Sequence, residues 1–275
     1  MSREIKFTSP SFVDRLRGML GVDFYRLFHT PMFYIFLAIA AIIPAMVLGM
    51  TSIEAADGTL EPLYTNTWHR VAADNPLYVV NTIAEYANMN MVFIFGGIII
   101  SIFIGHDYRS GYVKQLFTTH AKKQDYMLSK SLVGAFSMAC MCITYLIGGV
   151  LAGALTGTSF AVSIGSLICA ILGKMVMSLG WASLYTFLNI IFRRYFGISI
   201  ASCFFFGTGI VIIGAGAILK DSGSFILNAF LYGSSVNACL DSNFATLLLC
   251  LVVSVLWALI YNILGTHILS KSDVY

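Results

Sequence analysis

Residues 244–266 read FATLLLCLVVSVLWALIYNILGT, without one charged side chain. A bilayer core about 30 Å thick needs roughly 20 apolar residues per helical span. Lipid offers the backbone no hydrogen-bond partner, so a spanning run must be a helix or a strand of a closed barrel. Barrel strands alternate apolar and polar residues over about 10 positions, which this stretch does not do. Working outward, runs of the same character predict spans at 32–50, 87–105, 131–155, 167–191, 198–219 and 244–266. Hydrophobic residues make up 58% and charged residues 11% of the 275, with mean hydropathy +0.84, values outside the range of a soluble domain. The expected fold class is all-α: a polytopic membrane protein with six transmembrane helices.

The net charge of +3 carries less information than where the charges fall. Thirteen of the sixteen Lys and Arg lie in 1–31, 106–130, Arg193–Arg194 and Lys271, segments that six spans place on one side. Only Arg70 and Lys220 fall on the other side, and Lys174 falls within a span. By the positive-inside rule both termini and the 106–130 loop are cytoplasmic. The chain then divides into a cytoplasmic N-terminus (1–31), a transmembrane domain (32–266) and a cytoplasmic tail (267–275). The polar N-terminus shows no cleavable signal peptide, so the first span is the expected insertion signal.

Within 12–28, Phe12, Leu16, Leu20, Phe24, Leu27 and Phe28 recur at helical spacing, with Asp14, Arg15, Arg17, Asp23 and Arg26 on other faces. This pattern predicts an amphipathic interfacial helix lying in the headgroup plane, ended by Pro31. The outer loop 51–86 carries Glu54, Asp57, Glu61, Asp74 and Glu85, whose spacing matches no metal-binding loop. The six cysteines fall mostly inside apolar runs without CxxC pairs and read as small core residues. Gly149, Gly153 and Gly157, at four-residue steps, predict close helix packing, as do Gly207, Gly209, Gly214 and Gly216.

The most informative polar stretch is GHDYRSGYVKQLF at 105–117, followed by KKQDYMLSK at 122–130. Its acidic residue at the end of the second span, then Gly-x-x-Lys, an apolar pair, a basic residue and Ser-Lys, resembles the permease subunits of type-2 ABC exporters. The interfacial helix, six spans and long cytoplasmic loop after the second span fit the same family over nearly the full length. Tyr112 stands where Thr is commoner, and Lys123 where Arg is frequent. The resemblance implies a short cytoplasmic helix presenting Tyr112, Leu116 and Phe117 with Lys114 nearby. That helix docks into a cleft of a separate ATPase subunit, with Asp107, Arg109, Gly111 and Lys123 in the same coupling element. It also implies two ATPase copies, a second permease chain in a homo- or heterodimer, and a segment 220–243 that dips back into the outer leaflet. A plain extracellular helix is the alternative for 220–243.

The chain has no G-x-x-x-x-G-K-[ST] phosphate loop and too few cytoplasmic residues for a nucleotide-binding domain. It is therefore expected to be no enzyme itself, with ATP and Mg on the partner and no catalytic, cofactor or metal residues of its own. Spans with almost no polar side chains suit an amphipathic or hydrophobic cargo, an antimicrobial-type peptide or lipophilic drug. The resemblance also permits polysaccharide, lipid or haem. Phe204, Phe205, Phe206 and Lys174 are the substrate-path candidates. Lys174, about 27 Å above the inner boundary, is expected to snorkel to the outer interface. An ion-driven transporter or channel would show repeats or several intramembrane charges, and an intramembrane enzyme a catalytic cluster; neither pattern is present. Separate permease and ATPase chains point to a bacterial plasma membrane.

Overall fold

The computed structural model describes residues 10–50, 52–54, 60–62, 89–118, 121–157, 162–209, 228–240 and 243–271. Helix α1 (Phe12–Phe28) begins where the Ser11 side chain accepts a hydrogen bond from the Asp14 amide at 3.2 Å, satisfying one of the free first-turn donors. Pro31 opens α2 (Pro31–Met50), a position where its missing N–H costs nothing, and the two helices meet at a 66° bend. A short antiparallel ladder follows, β1 (Ser52–Glu54) against β2 (Leu60–Pro62), with Ile53 opposite Glu61. Then come α3 (Met91–Arg109), α4 (Tyr112–Thr118), α5 (Lys123–Thr156), α6 (Ile164–Ile191), α7 (Phe196–Gly207), α8 (Leu231–Leu240) and α9 (Phe244–Lys271).

Among the described residues four helices, α3, α5, α6 and α9, are long and apolar enough to cross a membrane, and the bent pair α1–α2 makes a fifth when taken as one span. The described residues are almost entirely helical, and α2, α3, α5, α6 and α9 overlie five of the predicted runs. Helix α7 covers the start of the predicted 198–219 run, whose residues 210–219 lie outside the described residues. So do most of the outer loop 51–86, residues 220–227 and the tail from 272.

Helix α6 is the centre of the bundle, packed against α3, α5, α8 and α9. Its core face carries Met177, Trp181, Ala182 and Tyr185, with Trp181 stacked on Phe93 of α3 at 5.5 Å. Helix α2 lies along α5, and their closest approach is at Gly148, where a Cβ would sit 2.0 Å from the Ala41 carbonyl oxygen. Gly149 and Gly153 of the predicted small-residue ridge are buried alongside it.

The spans are less apolar inside than expected. Asn189 of α6 donates to Ser101 of α3 at 3.0 Å and accepts from Ser199 of α7. Asn262 of α9 donates to Ser183 of α6 at 3.0 Å and accepts from Ser131 of α5 at 3.2 Å. Ser254 of α9 accepts from the Gly180 amide at 3.0 Å and donates to the Val176 carbonyl at 2.6 Å. Small polar side chains hidden in apolar runs clamp helices to one another, and interhelical bonds of this kind contribute about 0.6–2 kcal/mol each. A run-averaged hydropathy does not see them. Helix α8 packs between α6 and α9. Leu231 meets Gly180 near the middle of α6, Ala238 meets Gly173 further toward its start, and Trp257 Nε1 donates to the Ala229 carbonyl at 2.8 Å.

Candidate functional site at the charged end of the bundle

Helix α5 has 34 residues, about 51 Å of helix, so its first turns extend past a 30 Å apolar layer. Those turns carry Asp125, Tyr126, Ser129 and Lys130, and they meet the end of α3 and one face of α1. There Lys130 Nζ lies 2.6 Å from Asp23 Oδ1 and 2.7 Å from Asp107 Oδ2. Arg26 pairs through Nη2 with Asp107 Oδ1, Tyr126 donates to Asp107 at 3.1 Å, and Ser129 donates to Asp23 at 2.7 Å. Both carboxylates have no solvent exposure. Aromatic rings wall the cluster: Lys130 Nζ is 4.3 Å from the Phe103 centroid and 5.2 Å from Tyr126, and the Arg26 guanidinium is 4.5 Å from Tyr112. Burial, and then the charge of Asp23, push the Tyr112 phenol above its ordinary pKa, so it stays neutral beside Arg26.

Two acids and two bases form a balanced tetrad that joins α1, α3 and α5. Buried pairs of this kind add little net stability, but removing one member leaves its partner uncompensated, at about 3–5 kcal/mol. A second pair, Arg15 Nε to Asp125 Oδ2 at 2.8 Å, fastens the start of α1 to the start of α5. The polar residues of α1 are therefore not all turned away from its packed side as expected. Arg15, Asp23 and Arg26 face the protein with Met19 and Leu27, while Phe12, Val13, Val22, Tyr25 and Phe28 are exposed. Opposite charges on α3 and α5 decide that face, and a single-helix periodicity cannot contain them.

Gly111, at φ 72°, turns the chain from α3 into α4, a conformation that strains any residue with a Cβ. Helix α4 lies across this end. Val113 is buried, and Leu116 and Phe117 pack on a small cluster with Met19, Tyr126 and Leu269. Phe117 meets Tyr126 edge-on at 5.8 Å. Tyr112, Leu116 and Phe117, expected to be presented to a partner, are each half-buried, with Tyr112 against Arg26 and Leu116 and Phe117 against Met19 and Tyr126. Lys114, Gln115 and Thr118 form the exposed face.

No protein-family model matches this chain, and no curated protein matches it.

The residues assigned to one coupling element are shared among several contacts. Asp107 and Tyr112 enter the tetrad and its wall. Arg109 reaches the other way, its guanidinium 4.4 Å from the Phe196 ring of α7. Lys123 Nζ donates to the Leu269 carbonyl at 2.8 Å, capping the end of α9, where a cation also meets the negative end of the helix dipole. Lys114 and Arg109 are the exposed charges of the set. Asp23, Arg26, Tyr126 and Lys130 were missed as a site. Their available signal was a balanced set of charges within two turns of the ends of apolar runs.

Lys174 does not snorkel. It is 1% exposed, hydrogen-bonded to Asn90 at the start of α3, and 5.6 Å from the Phe93 ring centroid. The inward polar partner outweighs the reach to the surface. Phe204, Phe205 and Phe206 are 50%, 45% and 39% exposed on α7, whereas Lys174 is buried.

Proposed function

We propose that this chain is the permease subunit of a type-2 ABC exporter, powered by a separate ATPase that binds ATP and Mg. The observation that carries the reading is α4: a short helix on the loop that resembles the family's coupling element, held at the end of the bundle where Lys and Arg concentrate. That end is cytoplasmic on this reading. Lys114, Gln115 and Thr118 meet the ATPase, and Tyr112, Leu116 and Phe117 are the inward grip by which α4 pulls on α1 and α5. Asp107 and Lys130 pass the displacement to α3 and α5, and Arg26 and Asp23 pass it to α1.

Helix α1 lies in the headgroup plane with Tyr25, Phe28 and Val22 toward lipid. The sixth span is the 198–219 run, of which α7 is the described part. The segment 220–243 re-enters the membrane, a reading supported by α8 beginning against the middle of α6 and ending nearer its start. Two such chains, alike or related, pair with two ATPases in a bacterial plasma membrane. The exposed Phe204–Phe206 face of α7 lines the cleft between them and favours an amphipathic or hydrophobic cargo, an antimicrobial-type peptide or lipophilic drug.

Affinity purification of the tagged chain from its native membrane tests this. An ATP-binding-cassette ATPase should co-purify, and cells lacking the chain should become sensitive to members of a panel of cationic peptides and lipophilic drugs. Recovery of the chain without any such ATPase, under conditions that keep it folded, overturns the proposal.

A further inference from the structure

Helices α2 and α3 touch at Phe36 and Phe95, ring centroids 6.0 Å apart. Toward the charged end they part, and the α1–α2 elbow closes the gap below, leaving a cleft of about 370 Å³. That volume lies in the range of small-molecule sites, about 300–1,000 Å³. Its floor is apolar: Leu27, Phe33 and Ile99 are buried there, with Phe103 beside them. Its rim is different in kind, formed by Arg26, His29 and His106.

Arg26 commits Nη2 to Asp107, but Nη1 is buried without a hydrogen-bond partner, 3.7 Å from the nearest oxygen of Asp23. A buried donor that makes no hydrogen bond is costly even beside a counter-charge, so an acceptor arriving through the cleft would be stabilising. His29 donates its Nδ1–H to the Tyr25 carbonyl at 2.8 Å, so Nε2 accepts in the neutral ring and donates into the cleft only in the imidazolium form. Thr30 spends its hydroxyl on the Arg26 carbonyl at 2.7 Å, so it does not cap the first turn of α2, whose residues Pro31 and Met32 also line the cleft. Uncapped helix starts favour anions. Asp23 and Asp107 stand behind Arg26 with no exposure, and no carboxylate lines the cleft among the described residues.

Donors at the rim over an apolar floor, at the boundary between the apolar helices and the charged end, match one chemistry. We propose that this elbow cleft binds an anionic phospholipid, its phosphate at Arg26 and His106, joined by His29 as imidazolium, and an acyl chain along Leu27, Phe33 and Ile99. A choline headgroup would bring a second cation to the same rim and is disfavoured. The assignment does not depend on the transport reading, only on the cleft.

Native mass spectrometry of the full chain in neutral detergent tests it, with phosphatidylglycerol, phosphatidylcholine or inorganic phosphate added. Phosphatidylglycerol should be retained about tenfold more strongly than phosphatidylcholine, the scale of one charge-assisted contact. His29→Gln with His106→Gln should erase most of that preference without touching the tetrad. Ile102→Trp, which fills the cleft from its wall, should remove the lipid while thermal melting shows the fold intact. Equal retention of the two lipids, or lipid surviving Ile102→Trp, overturns the proposal. So does displacement by inorganic phosphate alone, which would mark a free-anion site, or a dimer peak lost in Ile102→Trp, which would give the cleft to a second copy.

Discussion

Lys130 and Lys174 are both lysines on long apolar helices, exposed by 2% and 1%, yet their surroundings share almost nothing. Lys130 sits between two carboxylates, Asp23 and Asp107, and under the Phe103 ring. Lys174 meets the neutral amide of Asn90 and the edge of a Phe93 contact, with no carboxylate partner among the described residues. The first charge is locked into a balanced cluster on which three elements depend. The second, among the described residues, meets dipoles and no carboxylate, so the described bundle depends on it far less. Burial by itself does not distinguish a structural charge from one kept for another purpose; what compensates the charge does.

The largest expected effect comes from unbalancing the tetrad. Asp107→Asn keeps the shape but leaves Arg26 and Lys130 facing Asp23 alone, and should cost about 3–5 kcal/mol of stability. Adding Lys130→Met restores charge balance and should recover a substantial part of that loss, a coupling that a double-mutant cycle reads directly. Denaturant unfolding in detergent is the measurement. A loss from Asp107→Asn below about 1 kcal/mol would place the tetrad with ordinary surface pairs and break the comparison.

Next comes a purely steric contrast between helices α5 and α1. Gly148→Ala drives a Cβ into the Ala41 backbone carbonyl, which has no rotamer to yield, whereas Gly18 and Gly21 of α1 have nothing within 4 Å of an added Cβ. Gly148→Ala should cost about 1–3 kcal/mol by overpacking, while Gly21→Ala in a helix interior should stabilise by about 0.5–1 kcal/mol. Thermal melting of the two variants side by side checks both signs. Equal behaviour would mean that α2 is free to move away from α5.

Lys174→Met sharpens the comparison from the other side. The change removes a buried cation and keeps much of the side-chain volume, so stability should stay within about 1 kcal/mol of the parent or rise. A fall of more than about 2 kcal/mol would show Lys174 to be as structural as Lys130. Normal stability with lost export would instead assign it to the substrate path.

Much of the fold was legible because transmembrane hydropathy is a run-length signal, and α3, α5, α6 and α9 are long runs. The site was legible only in part. The loop 106–130 announced itself through Asp107, Gly111 and Lys114, and the turn at Gly111 and the short helix α4 are local features of that loop. What stayed hidden was tertiary. The partners of Asp107 lie 81 residues before it at Arg26 and 19 after it at Tyr126, and no local pattern links them. The same reason hid the Asn189, Asn262 and Lys174 contacts, each a single polar residue in a run whose average is apolar. The sequence pattern also read Leu116 and Phe117 as outward anchors, since alternating apolar and charged residues look alike whether the partner is another chain or the same one.

That last ambiguity yields the smallest stability effect and the cleanest separation of roles. Lys114 and Thr118 are exposed on α4, so Lys114→Glu with Thr118→Glu should change stability by no more than about 0.5 kcal/mol. Leu116 packs on the cluster of Met19, Val113 and Tyr126, so Leu116→Asp buries an unpaired charge or opens the α1–α4 contact, and should cost about 1–3 kcal/mol. If α4 is the seat of an ATPase, the first variant should lose ATPase binding at full stability, because it reverses charge on the exposed face of α4. The second should lose binding and stability together. Pull-down of the ATPase with parallel melting curves separates them. Binding that survives Lys114→Glu with Thr118→Glu would move the docking surface off α4, and the tetrad would then serve only to hold α1 on the bundle.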